Sequence, residues 1–243
     1  MYRGGWRMPV AVEVEASHDG GMTRARFSCL LTGVGLAGLT ASGGDAAGVE
    51  KWEAEVAALE ARVAAARPAL GGLVFAGSSS IRLWDVENAF PGLGAVNVGF
   101  GGSQIAECAF FAPRLIYRWR PRAVVFYAGD NDIAAGCEPE RVADDFLDFA
   151  TSLHAVLPGC GLYFLSIKPS PSRWSFWPRS RAANARIRHW CETVGSAPLH
   201  YVDMATPLLG EDGRPRGEFF QADRLHLNKS GYAAWQAVLA PRL

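Results

Sequence analysis

Near the C-terminus of the chain stands Asp223-Arg224-Leu225-His226. With two residues between them, a carboxylate can reach the imidazole Nδ1–H within one turn of chain, leaving Nε2 free to take a proton. Of the five histidines, only His226 has an aspartate three positions before it. His154 and His189 sit in helical patterns, His200 opens a strand, and His18 lies in an N-terminal extension. A base of this kind needs a proton donor, and Gly77-Ser78-Ser79-Ser80 offers three hydroxyls at a glycine turn. A hydroxyl in the first turn of a helix lies near free backbone N–H groups and the positive end of the dipole, so such a serine can be a nucleophile. The same serines could equally cap that helix.

Two further segments could stabilise an anion. Asn97-Val98-Gly99-Phe100-Gly101-Gly102-Ser103 is glycine-rich, but its spacing is neither GxGxxG nor GxxxxGKS and no lysine follows, which rejects nucleotide binding. What it can supply is close backbone approach and an unobstructed N–H aimed at a developing negative charge. In Gly129-Asp130-Asn131-Asp132 the asparagine amide can donate to an oxyanion without bringing charge of its own. Turn and cap chemistry is the ordinary alternative there, and a divalent-cation site from Asp130 and Asp132 is a third.

These residues need a scaffold, and the apolar pattern describes one. Short runs at Leu73–Ala76, Ala95–Val98, Ala123–Tyr127, Leu162–Ile167 and His200–Val202 read as strands. Helical patterns lie near Ser80–Ala89, Gln104–Tyr117, Pro139–Val156, Arg179–Val194 and Lys229–Leu239. Strand–helix alternation with nearly unbroken apolar strands predicts an α/β fold with a parallel sheet covered on both faces. Such sheets bind ligands at the carboxyl ends of their strands, which is where three of the four segments fall. Upstream, Gly48–Leu70 places Trp52, Val56, Leu59 and Val63 on one face and reads as an amphipathic helix that docks on the domain. The expected division is an N-terminal extension with a signal segment over 1–47, the docking helix over 48–70 and the main domain over 71–243.

Composition narrows the function classes. The 243 residues carry 24 basic and 24 acidic side chains, a formal net charge of +0 and 49% hydrophobic residues, which suits a single α/β unit and argues against a nucleic-acid partner. No apolar run reaches the roughly 20 residues that span a bilayer. Phe27–Ala41, preceded by Arg24 and Arg26 and followed by small residues, has the pattern of a secretory signal beginning at Met22 and ending near Ala47. A buried helix is the alternative reading. The expected location is therefore periplasmic or secreted, with the cytoplasm as the alternative. Cys108, Cys137, Cys160 and Cys191 would remain after cleavage, compatible with two disulfides or with four free thiols. The cysteines show no metal-type clustering with histidine.

The order of these segments, Ser after the first strand, Gly after the second, Asn after the third and Asp-x-x-His before the last helix, resembles the SGNH/GDSL hydrolase superfamily from Leu73 to the C-terminus. The runs FAGSSSIRLW, NVGFGGSQ, YAGDND and IKPSP are similar to its bacterial, platelet-activating-factor-acetylhydrolase-like branch. The resemblance implies a flavodoxin-like three-layer α/β/α sandwich with a five-stranded parallel sheet. It makes Ser79 the nucleophile, His226 the general base and Asp223 its orienting acid. The oxyanion donors would be the Ser79 N–H, Gly102 and Asn131, with no metal and no cofactor. Ser78 stands where the family's Gly-Asp-Ser block has aspartate.

The implied reaction is hydrolysis of short-chain acyl esters, acetyl esters foremost, on a small molecule or a carbohydrate. An acyltransferase or thioesterase would use the same residues, and a non-catalytic carbohydrate-binding module is the alternative of another class. The segment from Lys168 to Arg179 should pass near the site. There Lys168 and Arg173 could contact substrate, while Trp174 and Trp177 could form an acyl pocket or a sugar-stacking platform; packing against the sheet edge is the other reading of these aromatics.

Overall fold

The computed structural model describes residues 46–193 and 198–243. Residues 1–45, which carry the expected extension and most of the expected signal, lie outside the described residues. Among the described residues no helix is long and apolar enough to cross a membrane.

Five strands form one all-parallel sheet: β1 (Leu73–Gly77), β2 (Ala95–Asn97), β3 (Ala123–Tyr127), β4 (Gly161–Leu165) and β5 (Leu199–Val202), in the order β2-β1-β3-β4-β5. The central strands β1 and β3 are buried at every position, as continuous apolar runs require of strands covered on both faces. Alternate residues divide between two cores. Val74, Ala76, Val124, Phe126, Leu162 and Phe164 pack with α1 (Glu53–Ala66), α4 (Ile105–Leu115), α6 (Pro139–Val156) and α7 (Trp177–Thr193). Leu73, Phe75, Val125, Tyr127, Leu165 and Val202 pack with the serine-bearing α2 (Ser79–Arg82), α3 (Val86–Ala89) and α8 (Lys229–Leu239). The short α5 (Asp130–Ala134) follows β3. The result is a three-layer α/β/α sandwich of the flavodoxin type. The chain leaves β1 toward β2 on one side and returns past it to β3 on the other, so the topological switch point lies at the carboxyl ends of β1 and β3.

Element boundaries depart from the periodicity where side chains intervene. The helix expected over Ser80–Ala89 is two one-turn helices, because Asn97 Nδ2 donates to the carbonyls of Ile81 (2.6 Å) and Trp84 (2.8 Å) and Asp85 then caps α3. The amphipathic helix stops at Ala66, short of Leu70, where Arg67 turns left-handed at φ +47° just before Pro68. Val56, Leu59 and Val63 are buried as its pattern implies, and Arg114 pairs with both Glu53 and Glu60 across to α4. The four described cysteines, Cys108, Cys137, Cys160 and Cys191, are free thiols.

Candidate active site

The serine turn is dictated by glycine. Gly77 ends β1 at φ +131°, and a Cβ there would fall 1.9 Å from the Tyr127 carbonyl oxygen, so only glycine lets β1 and β3 run this close. Ser78 N–H then donates to that carbonyl at 2.9 Å. Of the three serines that follow, Ser78 and Ser80 turn their hydroxyls into the interior, where neither finds a partner. Ser79 alone faces the C-terminal loop: its Oγ lies 2.9 Å from His226 Nε2. Its N–H, the first of α2, has no intrahelical acceptor. From above, Tyr232 of α8 donates its hydroxyl to the Ser80 carbonyl at 2.9 Å, fixing the turn.

His226 sits in a closed loop. Gln221 N–H donates to the His226 carbonyl (2.8 Å), Arg224 N–H donates back to Gln221 (2.9 Å), and Arg224 takes a left-handed φ of +56° to close it. Within this loop Asp223 Oδ2 lies 2.6 Å from His226 Nδ1, and its Oδ1 accepts the N–H groups of Leu225 (2.9 Å) and His226 (3.0 Å). Desolvation raises the Asp223 pKa, but the imidazole bond and the two amides outweigh it and hold the carboxyl at about 2. The carboxylate is therefore ionised at any working pH and fixes which ring nitrogen carries the proton. Asn228, two residues on, caps α8 through Ser230 N–H and Gly231 N–H and anchors the loop through the carbonyls of Glu218 and Phe220.

Gly102 and Asn131 stand on the loops after β2 and β3, which meet at Ser103. Gly102 is left-handed at φ +70°, and the loop that holds it is tied to β1 by Phe100 N–H donating to Gly77 at 3.0 Å. Asn131 Nδ2 donates to the Ser103 carbonyl at 3.0 Å, which joins the loops after β2 and β3. The second Nδ2 proton remains available to an anion. Asp130 and Asp132 do not converge as cation ligands. Lys168 (3.3 Å) and Arg173 (3.4 Å) both pair with Asp130 Oδ2, while Asp132 Oδ1 accepts the Ile105 N–H that opens α4. Among the described residues no cluster suited to a metal ion occurs.

The two cations expected to touch substrate are otherwise engaged. Lys168 is buried, and its ammonium donates to Tyr127 Oη (3.2 Å) and Asp130 Oδ2 rather than facing the site. Arg173 donates from Nη1 and Nη2 to Asn131 Oδ1, both at 3.0 Å, and from Nη1 to the Asp130 carbonyl. Trp177 is buried and serves as packing, and it stacks on the partly exposed Trp174 at 6.3 Å. Ser172 N–H donates to the Arg224 carbonyl (3.1 Å), which does bring this segment against the histidine loop.

Two side chains that the sequence did not single out for the site support it. Asn97 accepts Gly99 N–H at 2.9 Å while capping α2, and Glu55 of α1 accepts Gly101 N–H at 3.0 Å. A polar residue ending β2 was a usable signal for the first. Nothing local distinguishes Glu55 from its helical neighbours.

The arrangement can move a proton from a hydroxyl to an imidazole backed by a carboxylate, which is a step of acyl transfer. A protein from Streptococcus pneumonia described as a candidate platelet activating factor shares the fold at 17% identity and a TM-score of 0.66, covering 82% of this chain and 99% of that one. A GDSL-like lipase from Bacteroides thetaiotaomicron does so at 19% identity and 0.64, covering 81% and 97%. A catalytic mutant of Axe2, an acetylxylan esterase from Geobacillus stearothermophilus, does so at 11% and 0.57, covering 71% and 94%. No curated protein sequence matches the chain. Residues 81–234 match the GDSL-like lipase/acylhydrolase family, and with that match spanning most of the sandwich the chain belongs to this family, as an ester hydrolase of the SGNH/GDSL type.

Proposed function

We propose that the protein is a serine esterase that cleaves short-chain acyl esters, acetyl esters foremost, in two acyl-transfer steps. The observation that carries this reading is the unbroken line from Ser79 Oγ through His226 to Asp223, at 2.9 and 2.6 Å. Ser79 Oγ–H donates to Nε2 and loses its proton there as the oxygen attacks the ester carbonyl. The tetrahedral oxyanion receives the N–H groups of Ser79 and Gly102 and the free Nδ2 proton of Asn131. His226 then protonates the leaving alcohol and activates water to release the acid, with Asp223 stabilising the imidazolium. The histidine loop is open to solvent, with 22% of the His226 side chain and 46% of the Asp223 side chain exposed, which favours accessible esters of small or sugar-like alcohols over long-chain lipids. Trp174 offers a partly exposed ring against which such an alcohol can stack.

The test is a panel of nitrophenyl esters of increasing acyl length, acetylated sugars and acyl thioesters, run on wild type, Ser79→Ala and Ser78→Ala. Ser79→Ala should lose at least about 10³-fold in kcat, and Ser78→Ala should keep the activity. Wild-type rates in Ser79→Ala would overturn the assignment of the nucleophile. A preference for long acyl chains would overturn the substrate class.

A further inference from the structure

Two cations, Lys168 and Arg173, lie against the one carboxylate of Asp130. Lys168, 1% exposed and bonded to Asp130 Oδ2 and Tyr127 Oη, already neutralises it. Desolvation alone would raise the Asp130 pKa, but the charges of Lys168 and Arg173 and the hydrogen bonds from Lys168 and Tyr127 together outweigh it and lower the pKa, so the carboxylate stays charged in the interior. Arg173 therefore brings a surplus positive charge, and the structure shows where it goes. Both of its terminal nitrogens converge on Asn131 Oδ1 at 3.0 Å, and Nη1 also holds the Asp130 carbonyl at 3.0 Å.

An asparagine amide can be turned over with little change in shape, which exchanges its acceptor and its two donors. Here one orientation alone fits. With the oxygen toward the guanidinium, Nδ2 donates to the Ser103 carbonyl. Turned over, two N–H groups would face a cation and two carbonyl-type oxygens would face each other. Drawing electron density toward Oδ1 also strengthens the Nδ2–H donors, because chained hydrogen bonds polarise one another. We infer that Arg173 is a positioning residue for catalysis: it locks and polarises the Asn131 amide so that the remaining Nδ2 proton points at the oxyanion, without touching substrate. The inference rests on the esterase reading above and assigns the loop after β4, placed by sequence as a substrate contact, to the oxyanion hole instead.

The experiment is a double-mutant cycle between Arg173 and Asn131, with kcat and KM measured on a short-chain nitrophenyl ester. Arg173→Lys keeps a charge near Asp130 but cannot hold Oδ1 with two nitrogens, and Arg173→Gln removes the charge while keeping a donor. Thermal melting identifies any variant that fails to fold, and Lys168 remains to neutralise Asp130 in both. Loss of a whole oxyanion donor costs about 10²–10³ in kcat, which bounds the effect from above. Each Arg173 variant should lose about tenfold or more in kcat with KM unchanged, and should lose nothing further in an Asn131→Ala background. An equal loss in both backgrounds, an unchanged kcat, or a raised KM at constant kcat would each overturn the inference. Ser79→Ala run alongside separates the two levels: if that variant stays active, the esterase mechanism itself has failed, whereas its inactivity with an additive cycle condemns only the role of Arg173.

Discussion

Asp132 is buried beside the site with one carboxylate oxygen on Ile105 N–H at 3.1 Å and the other without any partner. Desolvation dominates its surroundings, the Ile105 amide only partly offsets it, and the charges of Asp130 and Asp145 add to it, so the pKa is pushed up from 3.8 to about 7. Between these two values the folded chain binds a proton that the unfolded chain has released, so stability falls as the pH rises through this window and levels off above it. Asparagine has the same shape, keeps an acceptor for Ile105 and cannot ionise. At pH 5 the folded wild type is still protonated at this position, and from there stability falls by up to about 1.4 kcal/mol per pH unit, flattening through pH 7, where half the sites are ionised, to a total loss of about 2–3 kcal/mol by pH 8. Urea unfolding followed by tryptophan fluorescence from pH 5 to 9 should therefore show Asp132→Asn gaining about 2–3 kcal/mol on wild type between pH 5 and pH 8 and no more beyond it. Taking the difference against wild type removes the titrating groups that are not coupled to Asp132. Asp132→Ala should lose the same pH slope but lie lower throughout by about 1–3 kcal/mol, since the Ile105 N–H loses its acceptor. A stability difference that stays constant from pH 5 to 9 would refute the reasoning.

The other expectations concern the supports of the site. Lys168→Met leaves Asp130 buried with only the longer Arg173 contact, so chemical denaturation should show a loss of about 3 kcal/mol with KM unchanged; a raised KM at full stability would restore Lys168 as a substrate contact. Gly102→Ala forces a side chain into a left-handed conformation at φ +70° with its Cβ 3.4 Å from the Trp52 ring. It should cost about 1–2 kcal/mol of stability and lower kcat by re-aiming the N–H, whereas an unchanged kcat would remove Gly102 from the oxyanion hole. Glu55→Ala should lower kcat at constant KM by freeing Gly101, and Glu55→Gln, which keeps an acceptor, should restore most of it. Equal rates for the two variants would show that α1 does not steady this loop.

What could be read in advance was what is local. A hydroxyl after a glycine that ends an apolar run, and a carboxylate three residues before a histidine, carry their chemistry within one turn of chain. The sheet was legible because β1 and β3 are apolar at nearly every position, and the long α6 and α8 fall at Pro139–Val156 and Lys229–Leu239, where periodicity puts them. The interior pairings were not legible, since Arg173 reaches Asn131 across 42 residues and Glu55 reaches Gly101 across 46, with no pattern to link such partners. Lys168 was the exception with a usable signal. The β3–β4 register pairs Phe126 with Phe164, and continued past the strand ends the same offset sets Asp130 opposite Lys168. A lysine directly after an unbroken apolar strand, level with an aspartate on the neighbouring one, is placed for a buried ion pair rather than for substrate.

The same use of register explains why the catalytic blocks coincide. Phe75 pairs with Asn97 on β2, and Gly77 pairs with Tyr127 on β3. Carried two to four residues onward, these offsets set Ser79 level with Gly101 and Gly129, each one or two residues from a proposed oxyanion donor. A slip of one residue would turn every side chain of a strand to the opposite face, and both faces are packed, so the register is held by the whole core. Ser79 and the proposed oxyanion donors thus stand on a frame whose relative positions cost the core to change. His226 is tied to that frame less directly. Its loop is held by its own backbone bonds, by Asn228, by the Ser172–Arg224 contact and by the bond to Ser79, and Phe220 and Leu227 on either side of it are buried in the core with Phe75 and Tyr127. Ser79 and the proposed oxyanion donors therefore ride on the sheet, while the serine–imidazole distance depends also on the histidine loop and on the segment after β4 that it touches. Because Arg173 lies next to Ser172 in that segment, displacement there by a bound alcohol would reach the base and the Asn131 donor together.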